Sequence, residues 1–398
     1  MCGARSVESL EGPGSLSWRT VGLQAAGLYA VSRALYLLVG LVVSVFMHGT
    51  KSAGGILGFH QPWHAMIFNL IYTSDSAFYH SIAMLGYRHV HFNTSQQYNW
   101  AFFPLYPYLT RWTRQVVGIH VVDAGVLWSQ IGMLAFLVVL GRFTDRKLGP
   151  KAAFLAMLIA AFSPLTPYFV AYRAGALFLG LSMAFFYLLE DSRWIWAATL
   201  GALAGLSRPV GILLAVPYLV AVVMKIRRWP PRIGYALAGA GIGIGFLTVG
   251  WIDWRFTQNP LAFLAIQKAW NRHSAFPFHS TWHWFFHPVL TSQGGWALPP
   301  LAMVFSALAV GAGYYLWHQH PDWWPSAAYV LITVLLANAS NSFEGVPRFI
   351  AELPPIYVAA ASWLEPSLRR QWLTLMIVGG FFAAYATLWA LGVHAVQN

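Results

Sequence analysis

Charge is scarce in this 398-residue chain: Asp, Glu, Lys and Arg together make up 9% of it, against about 25% in an average soluble domain. So few charges cannot cover the surface of a water-soluble protein of this size. Disorder needs low hydrophobicity and high charge, so the same figure excludes it. Cysteine is nearly absent. The single one, Cys2, allows neither an internal disulfide nor a cysteine-based metal site. Walker A, Rossmann, G-x-S-x-G and H-E-x-x-H patterns are missing, and with them any basis for soluble-type nucleotide or hydrolase chemistry. Residues 1–21 lack an apolar signal core with a small-residue cleavage site and read as a short cytosolic tail. No internal repeat of the kind many transporters carry is visible.

What the chain has instead is apolar length. Residues of the AVILMFWYC set make up 58% of it, and the mean hydropathy is +0.55. A helix crossing about 30 Å of hydrocarbon needs about 20 apolar residues. Runs near 22–47, 122–141, 152–169, 174–189, 194–207, 209–224, 233–252, 297–317, 324–340, 347–364 and 371–394 meet or approach that length. A transmembrane β-barrel would alternate in short segments and is excluded. The expected fold is an all-α polytopic membrane protein with about eleven transmembrane helices, forming one transmembrane domain over 1–398.

The net charge of +12 is scattered between the apolar runs and forms no stripe, so nucleic acid is not an expected partner. Lys and Arg fall in every second connection: Arg142, Arg146, Lys147 and Lys151, then Lys225, Arg227, Arg228 and Arg232, then Arg369 and Arg370. With the N-terminus cytosolic, all lie on the cytosolic side, where they also attract anionic lipid of the bilayer. Two long outer segments result, 48–121 and 253–296. Both are rich in Trp, Phe, Tyr, His and Pro and suit amphipathic helices lying in the interface.

Twelve carboxylates leave few candidates for chemistry. Glu8, Glu11, Asp145, Glu190, Asp191, Asp322 and Glu365 fall in cytosolic turns and termini, leaving Asp75, Asp123, Asp253, Glu344 and Glu352 for the outer side. Asp75 lies in Tyr72-Thr-Ser-Asp75-Ser-Ala-Phe-Tyr79-His80, at the start of an expected helix. An N-cap role is the local expectation there, and a capped start also fixes where a carboxylate points. Trp100-Ala-Phe-Phe103-Pro104-Leu-Tyr106-Pro107 cannot continue an ordinary helix. It reads either as an aromatic anchor or as a rigid wall for a site built by the preceding loop.

Arg208 and Arg348, each beside a proline at the outer membrane level, either snorkel to headgroups or form a phosphate clamp; Lys268 and Arg272 are further candidates. His279, His283 and His287 repeat every four residues, as do His60 and His64. Zinc would need a further ligand and neither segment holds one, so an interfacial amphipathic helix is expected and no metal site.

Four stretches together resemble the PIG-V family of membrane mannosyltransferases and its prokaryotic relatives. They are Asp75 to Tyr87, Ala101-Phe-Phe-Pro-Leu-Tyr-Pro107, Leu203-Ala-Gly-Leu-Ser-Arg208-Pro-Val-Gly211, and Asn259-Pro-Leu-Ala-Phe263 with Gln267-Lys268-Ala-Trp270. Pro347-Arg348-Phe349 is a weaker echo. Ser74 stands where the family has Trp, and Gly175 where it tends to carry an acid before Leu177-Phe178.

The resemblance implies a GT-C-type glycosyltransferase with Asp75 as base. Its donor would be a polyprenyl- or dolichyl-phosphate sugar, with mannose the expected hexose, and its acceptor a lipid or glycan on the extracytoplasmic face. Arg208, Arg348 and Lys268 would hold the donor phosphate, and Tyr79, His80, Phe103, Pro104 and Tyr106 would line the pocket. Transfer would invert the anomeric centre and need no cofactor. A transporter or flippase, and a non-catalytic binder of lipid-linked sugars, are the alternatives.

Overall fold

The computed structural model describes residues 16–46, 68–226, 232–292, 295, 297–319 and 321–397. Among these the chain is helical with no strand; only two isolated bridges occur, Ser274 with Ser340 and Ser292 with Ala297. Each of the eleven apolar runs falls on helix. Four helices are long and apolar enough to cross a membrane by length and composition: Trp18–Phe46, Val121–Leu148, Pro299–Gln319 and Leu368–Ala390. The chain is a membrane protein. The tail 1–15, the His60/His64 pair and Arg227 and Arg228 lie outside the described residues.

Three expected spans are broken, each for a reason visible in its prolines. The run 152–169 becomes Pro150–Ala161 and Pro167–Val170, because Pro164 and Pro167 exclude helical hydrogen bonding in between. The run 209–224 opens as the 3-10 turn Pro209–Leu214 and continues as Ala215–Ile226. The run 347–364 splits into Val346–Ala351 and Pro354–Leu364. Leu353 is extended at φ −99°, as the residue before a proline prefers, and Glu352 sits in the gap.

The helices pack through small residues, which let backbones approach where side chains would hold them apart. A Cβ at Gly132 would lie 2.6 Å from the Ala176 carbonyl oxygen, and one at Gly180 would lie 2.6 Å from the Gly132 carbonyl oxygen. The helices Val121–Leu148 and Gly175–Glu190 therefore touch backbone to backbone. At one end of the bundle, Arg146 pairs with Asp191 at 2.6 Å, Lys147 with Glu190 at 2.8 Å and Arg142 with Asp145 at 3.2 Å. Asp145, Glu190 and Asp191, three of the carboxylates expected in turns and termini, are thus bound to basic residues near them.

The segment expected as the first outer loop has a core of its own. Tyr79, Ile82, Trp100, Phe102 and Tyr106 pack with Val121, Tyr172 and Ile266. The helix Ser74–Leu85 is fastened at its C-terminus by Arg111, whose guanidinium donates to the Ala83 carbonyl at 2.6 Å and the Ile82 carbonyl at 3.1 Å. The cation lies where the helix dipole is negative. This support is what makes the start of that helix a fixed point.

Candidate active site

The helix Ser74–Leu85 is capped by Thr73, not by Asp75. Ser76 Oγ accepts the Thr73 backbone N–H at 3.0 Å and donates to the Tyr172 carbonyl at 2.9 Å. The Tyr172 backbone N–H donates to the Ile71 carbonyl at 2.7 Å. The N-cap expectation for Asp75 is therefore corrected: Thr73 and Ser76 already fill that role, so the Asp75 side chain is released from it. The same bonds tie residue 172 to the helix start and bring Arg173 to the aspartate.

Arg173 Nη2 and Arg348 Nη1 both donate to Asp75 Oδ2. Arg173 is 1% exposed, and its Nη1 donates to the Gln397 carbonyl at 2.6 Å. Burial pushes the Asp75 carboxyl up, but the charges of Arg173 and Arg348 outweigh it and hold the group well below the usual carboxylate range. Asp75 is thus an ionised, oriented carboxylate. One oxygen is held by two guanidiniums, and among the described residues Oδ1 has no hydrogen-bond partner.

Arg208 ends the helix Trp194–Ser207 in an extended conformation imposed by Pro209. Its Nη1 lies 2.8 Å from Glu352 Oε1. The Phe349 ring stands under both Arg208 and Arg348, with guanidinium carbons 5.6 Å and 5.7 Å from its centroid. Arg272 pairs with Glu344 at 2.6 Å. That pair crosses from the segment after Trp270 to the segment after Asn338, which Asn341 also joins by accepting the His273 backbone N–H at 2.7 Å.

These groups surround one cavity of about 590 Å³. Asp75, Arg208, Lys268, Arg272, Glu344 and Arg348 supply its charge. Tyr79, Phe102, Phe103, Phe263, Trp270 and Phe349 supply aromatic wall, and Ile212, Leu213, Leu264 and Leu336 extend it along an apolar side. Lys268 is exposed and has no ion-pair partner among the described residues.

Of the residues expected at the site, Asp75, Tyr79, Phe103, Arg208, Lys268 and Arg348 line this cavity. His80, Pro104 and Tyr106 do not, which corrects their expected place in the pocket wall. His80 turns its ring edge to Tyr72, and burial, with the charges of His120 and Arg114, pushes its imidazole down. Pro104 caps the helix Leu105–Val117. Tyr106 is fully buried, donates to the Gly125 carbonyl at 2.7 Å and packs edge-on against Tyr79, so it supports the wall from behind.

Arg173 was not expected at the site, and Glu352 was one of the five remaining carboxylates with no role assigned. Both are buried charges, Glu352 inside an apolar run and Arg173 between two of them, and such a placement is costly. Gly175 needs its missing side chain: a Cβ there would lie 2.5 Å from Glu352 Oε1. Where the resembled family tends to carry an acid and this chain has Gly175, a carboxylate arrives from the gap between the helices Val346–Ala351 and Pro354–Leu364.

The histidine array falls elsewhere. The helix His279–Phe286 carries exposed Trp282, Phe285 and Phe286, and His287 lies beyond its last turn. Among the described residues no three His, Cys, Asp or Glu side chains gather as a metal site.

No protein-family model and no curated protein matches the sequence. Solved structures do. ArnT from Cupriavidus metallidurans in the apo state superposes with a TM-score of 0.54 at 12% identity, covering 94% of this chain and 77% of that one. The same protein bound to undecaprenyl phosphate gives 0.53 at 14% identity, covering 93% and 77%. The fold is of the GT-C type. The helical framework is thus shared with ArnT, while the residues are almost all different.

Proposed function

We propose that the chain is a membrane glycosyltransferase. It takes a hexose, mannose in the first instance, from a polyprenyl- or dolichyl-phosphate donor and passes it to a hydroxyl of a lipid or glycan acceptor on the extracytoplasmic face. One observation carries this reading: an oriented carboxylate and a set of phosphate-binding cations share a single cavity that also has an apolar side. The cations suit a phosphate and the apolar wall an isoprenoid chain, and ArnT, which shares the fold, is known bound to undecaprenyl phosphate, a ligand with both parts.

The chemistry follows from charge. Arg173, Arg208, Arg272, Arg348 and Lys268 face Asp75, Glu344 and Glu352, an excess of two positive charges. A lipid-linked phosphosugar is a diester with one negative charge. The released monoester carries nearly two, its second pKa being about 6. The site therefore matches the departing phosphate better than the bound donor, and that difference lowers the barrier.

In the step itself the acceptor oxygen attacks the anomeric carbon as the bond from that carbon to the phosphate oxygen breaks, inverting the centre. The electron pair stays on the phosphate. Asp75 Oδ1 accepts the hydroxyl proton as the new bond forms. Because its arginines hold it well below the usual range, Asp75 does not keep the proton, and the released phosphate is the stronger base nearby. Two guanidiniums on Oδ2 supply positive charge at the carboxylate from the chain's own residues, so transfer is expected without an added metal.

The test is direct. Purified protein given polyprenyl-phosphate-mannose and a panel of lipid and glycan acceptors should release polyprenyl phosphate with formation of a glycosidic bond. Accumulation of the lipid-linked sugar inside vesicles, with no new bond formed, would show a transporter instead.

A further inference from the structure

The buried carboxylate of Glu352 entered the chemistry above only through its charge. Glu352 is 1% exposed and does not line the cavity. Its ion-pair partner among the described residues is Arg208, through Oε1 and Nη1 at 2.8 Å. It reaches Arg208 from the gap between the helices Val346–Ala351 and Pro354–Leu364, where the chain is kept from continuing as helix by Pro354.

Gly175 is the first residue of the helix Gly175–Glu190, on the other side of the same pair. A Cβ there would lie 2.5 Å from Glu352 Oε1 and 3.7 Å from Arg208 Nη1. The volume a side chain at 175 would take is therefore already occupied by the Glu352 carboxylate. The other carboxylate near Arg208, that of Asp75, is engaged by Arg173 and Arg348. Without Glu352 the Arg208 guanidinium would lose its anchor and turn toward Asp75 or away from the cavity.

We infer that Glu352 is the positioning residue that aims Arg208 at the donor phosphate, and that Gly175 is glycine so that this carboxylate can enter. The inference rests on the reading of Arg208 as a phosphate-binding group. What matters is a carboxylate at one point in space, whichever helix delivers it. A short acidic side chain at position 175 would start 3.7 Å from Arg208 Nη1, within reach of the same nitrogen once Glu352 is removed. It would also sit in the first turn of a helix, where negative charge is favoured.

The experiment compares wild type, Glu352→Gln, Glu352→Ala, Gly175→Asp and the double variant Glu352→Ala with Gly175→Asp, all as full chains in detergent. Each is measured for its thermal midpoint and for its affinity for undecaprenyl phosphate. Every single variant should lose about tenfold or more in affinity, the scale on which second partners of ligand-binding groups act. The double variant should return to within a few-fold of wild type. Glu352→Gln keeps the shape, so its loss separates charge from packing.

Three results would overturn the inference: Glu352→Gln binding as wild type does, a double variant no better than Glu352→Ala, or a double variant that regains its thermal midpoint without its affinity. Wild type that fails to bind undecaprenyl phosphate would refute the phosphate-binding reading instead. The thermal midpoints would then still decide whether the carboxylate can be moved, since only a transferred ion pair makes the double variant more stable than either single one.

Discussion

Asp75 and Arg348 lie 273 positions apart in the chain, and their side chains meet directly, Nη1 of the arginine on Oδ2 of the aspartate. Arg173 binds the same oxygen, so the carboxylate is oriented, with its second oxygen unpartnered among the described residues. This small triad links the segment expected as the first outer loop, the residues just before the helix Gly175–Glu190 and the broken run 347–364. The first prediction concerns its acid. Asp75→Asn should lower the turnover of sugar transfer about a hundredfold or more, the usual worth of a positioned proton acceptor, while donor affinity changes only a few-fold. Single-turnover assays with separate donor titrations check this. Turnover equal to wild type would remove Asp75 from the reaction.

Arg173 should matter more for the fold than Arg348. It is almost fully buried and fastened at both ends of its guanidinium, to Asp75 and to the Gln397 carbonyl. Arg173→Met leaves the Gln397 carbonyl without this donor and the Asp75 carboxylate with Arg348 alone, and breaking a buried pair costs up to about 3–5 kcal/mol. A clear drop in thermal midpoint is expected, with a smaller one for Arg348→Met, whose side chain is 11% exposed at the cavity wall.

The pH profile should follow the depressed carboxyl. The folded-state value of Asp75 lies well below its unfolded value, so its contribution to stability is fully present above the unfolded value of about 3.9 and is lost as pH falls through the folded one. Transfer rates should therefore show no acidic limb from Asp75 between about pH 5 and 8. In Arg348→Ala one of the two lowering charges is gone, so stability should begin to fall at a higher pH on the acid side than in wild type, as thermal midpoints measured against pH would show. Identical profiles for the two proteins would contradict the assignment.

Lys268 is the exposed cation of the cavity and has no carboxylate partner among the described residues. Lys268→Met should weaken lipid-phosphate binding by about tenfold at low salt and less at high salt, because an exposed charge is screened. Its thermal midpoint should stay within about a degree of wild type, since surface changes of this kind are worth within about 0.5 kcal/mol.

Chelation offers a last check. Transfer should persist in excess EDTA, because Arg173 and Arg348 already provide the positive charge at Asp75. Loss of activity that a divalent ion restores would contradict this.

Much of the framework was legible without coordinates. A run of apolar residues near 121–148 or 368–390 is a property of one window of chain, and its transfer into hydrocarbon depends on little else. The prolines that break the tenth span were visible too, but read as part of a continuous run. Only their effect on backbone hydrogen bonds shows that Glu352 sits in a gap. Elimination left Asp75 as one of five carboxylates, and the resemblance to the PIG-V family singled it out among them, while Arg208 and Arg348 stood out by their position beside prolines. The choice between cap and ligand for Asp75 turned on Thr73 and Ser76, neighbours whose hydroxyls could equally have pointed elsewhere.

By itself, then, the sequence determined that this is a helical membrane protein, where its helices run and which charges are too costly to be accidental. These are local matters: hydropathy, proline geometry and the expense of a buried ion are settled within about 20 residues. The tertiary structure alone decided that Arg173 and Arg348 share Asp75, that Glu352 fills the space over Gly175 to hold Arg208, and that His80, Pro104 and Tyr106 stand outside the cavity. Such pairings depend on which helix faces lie together, and that is set by backbone contacts such as Gly132 against Ala176, far along the chain from the charges they bring into line.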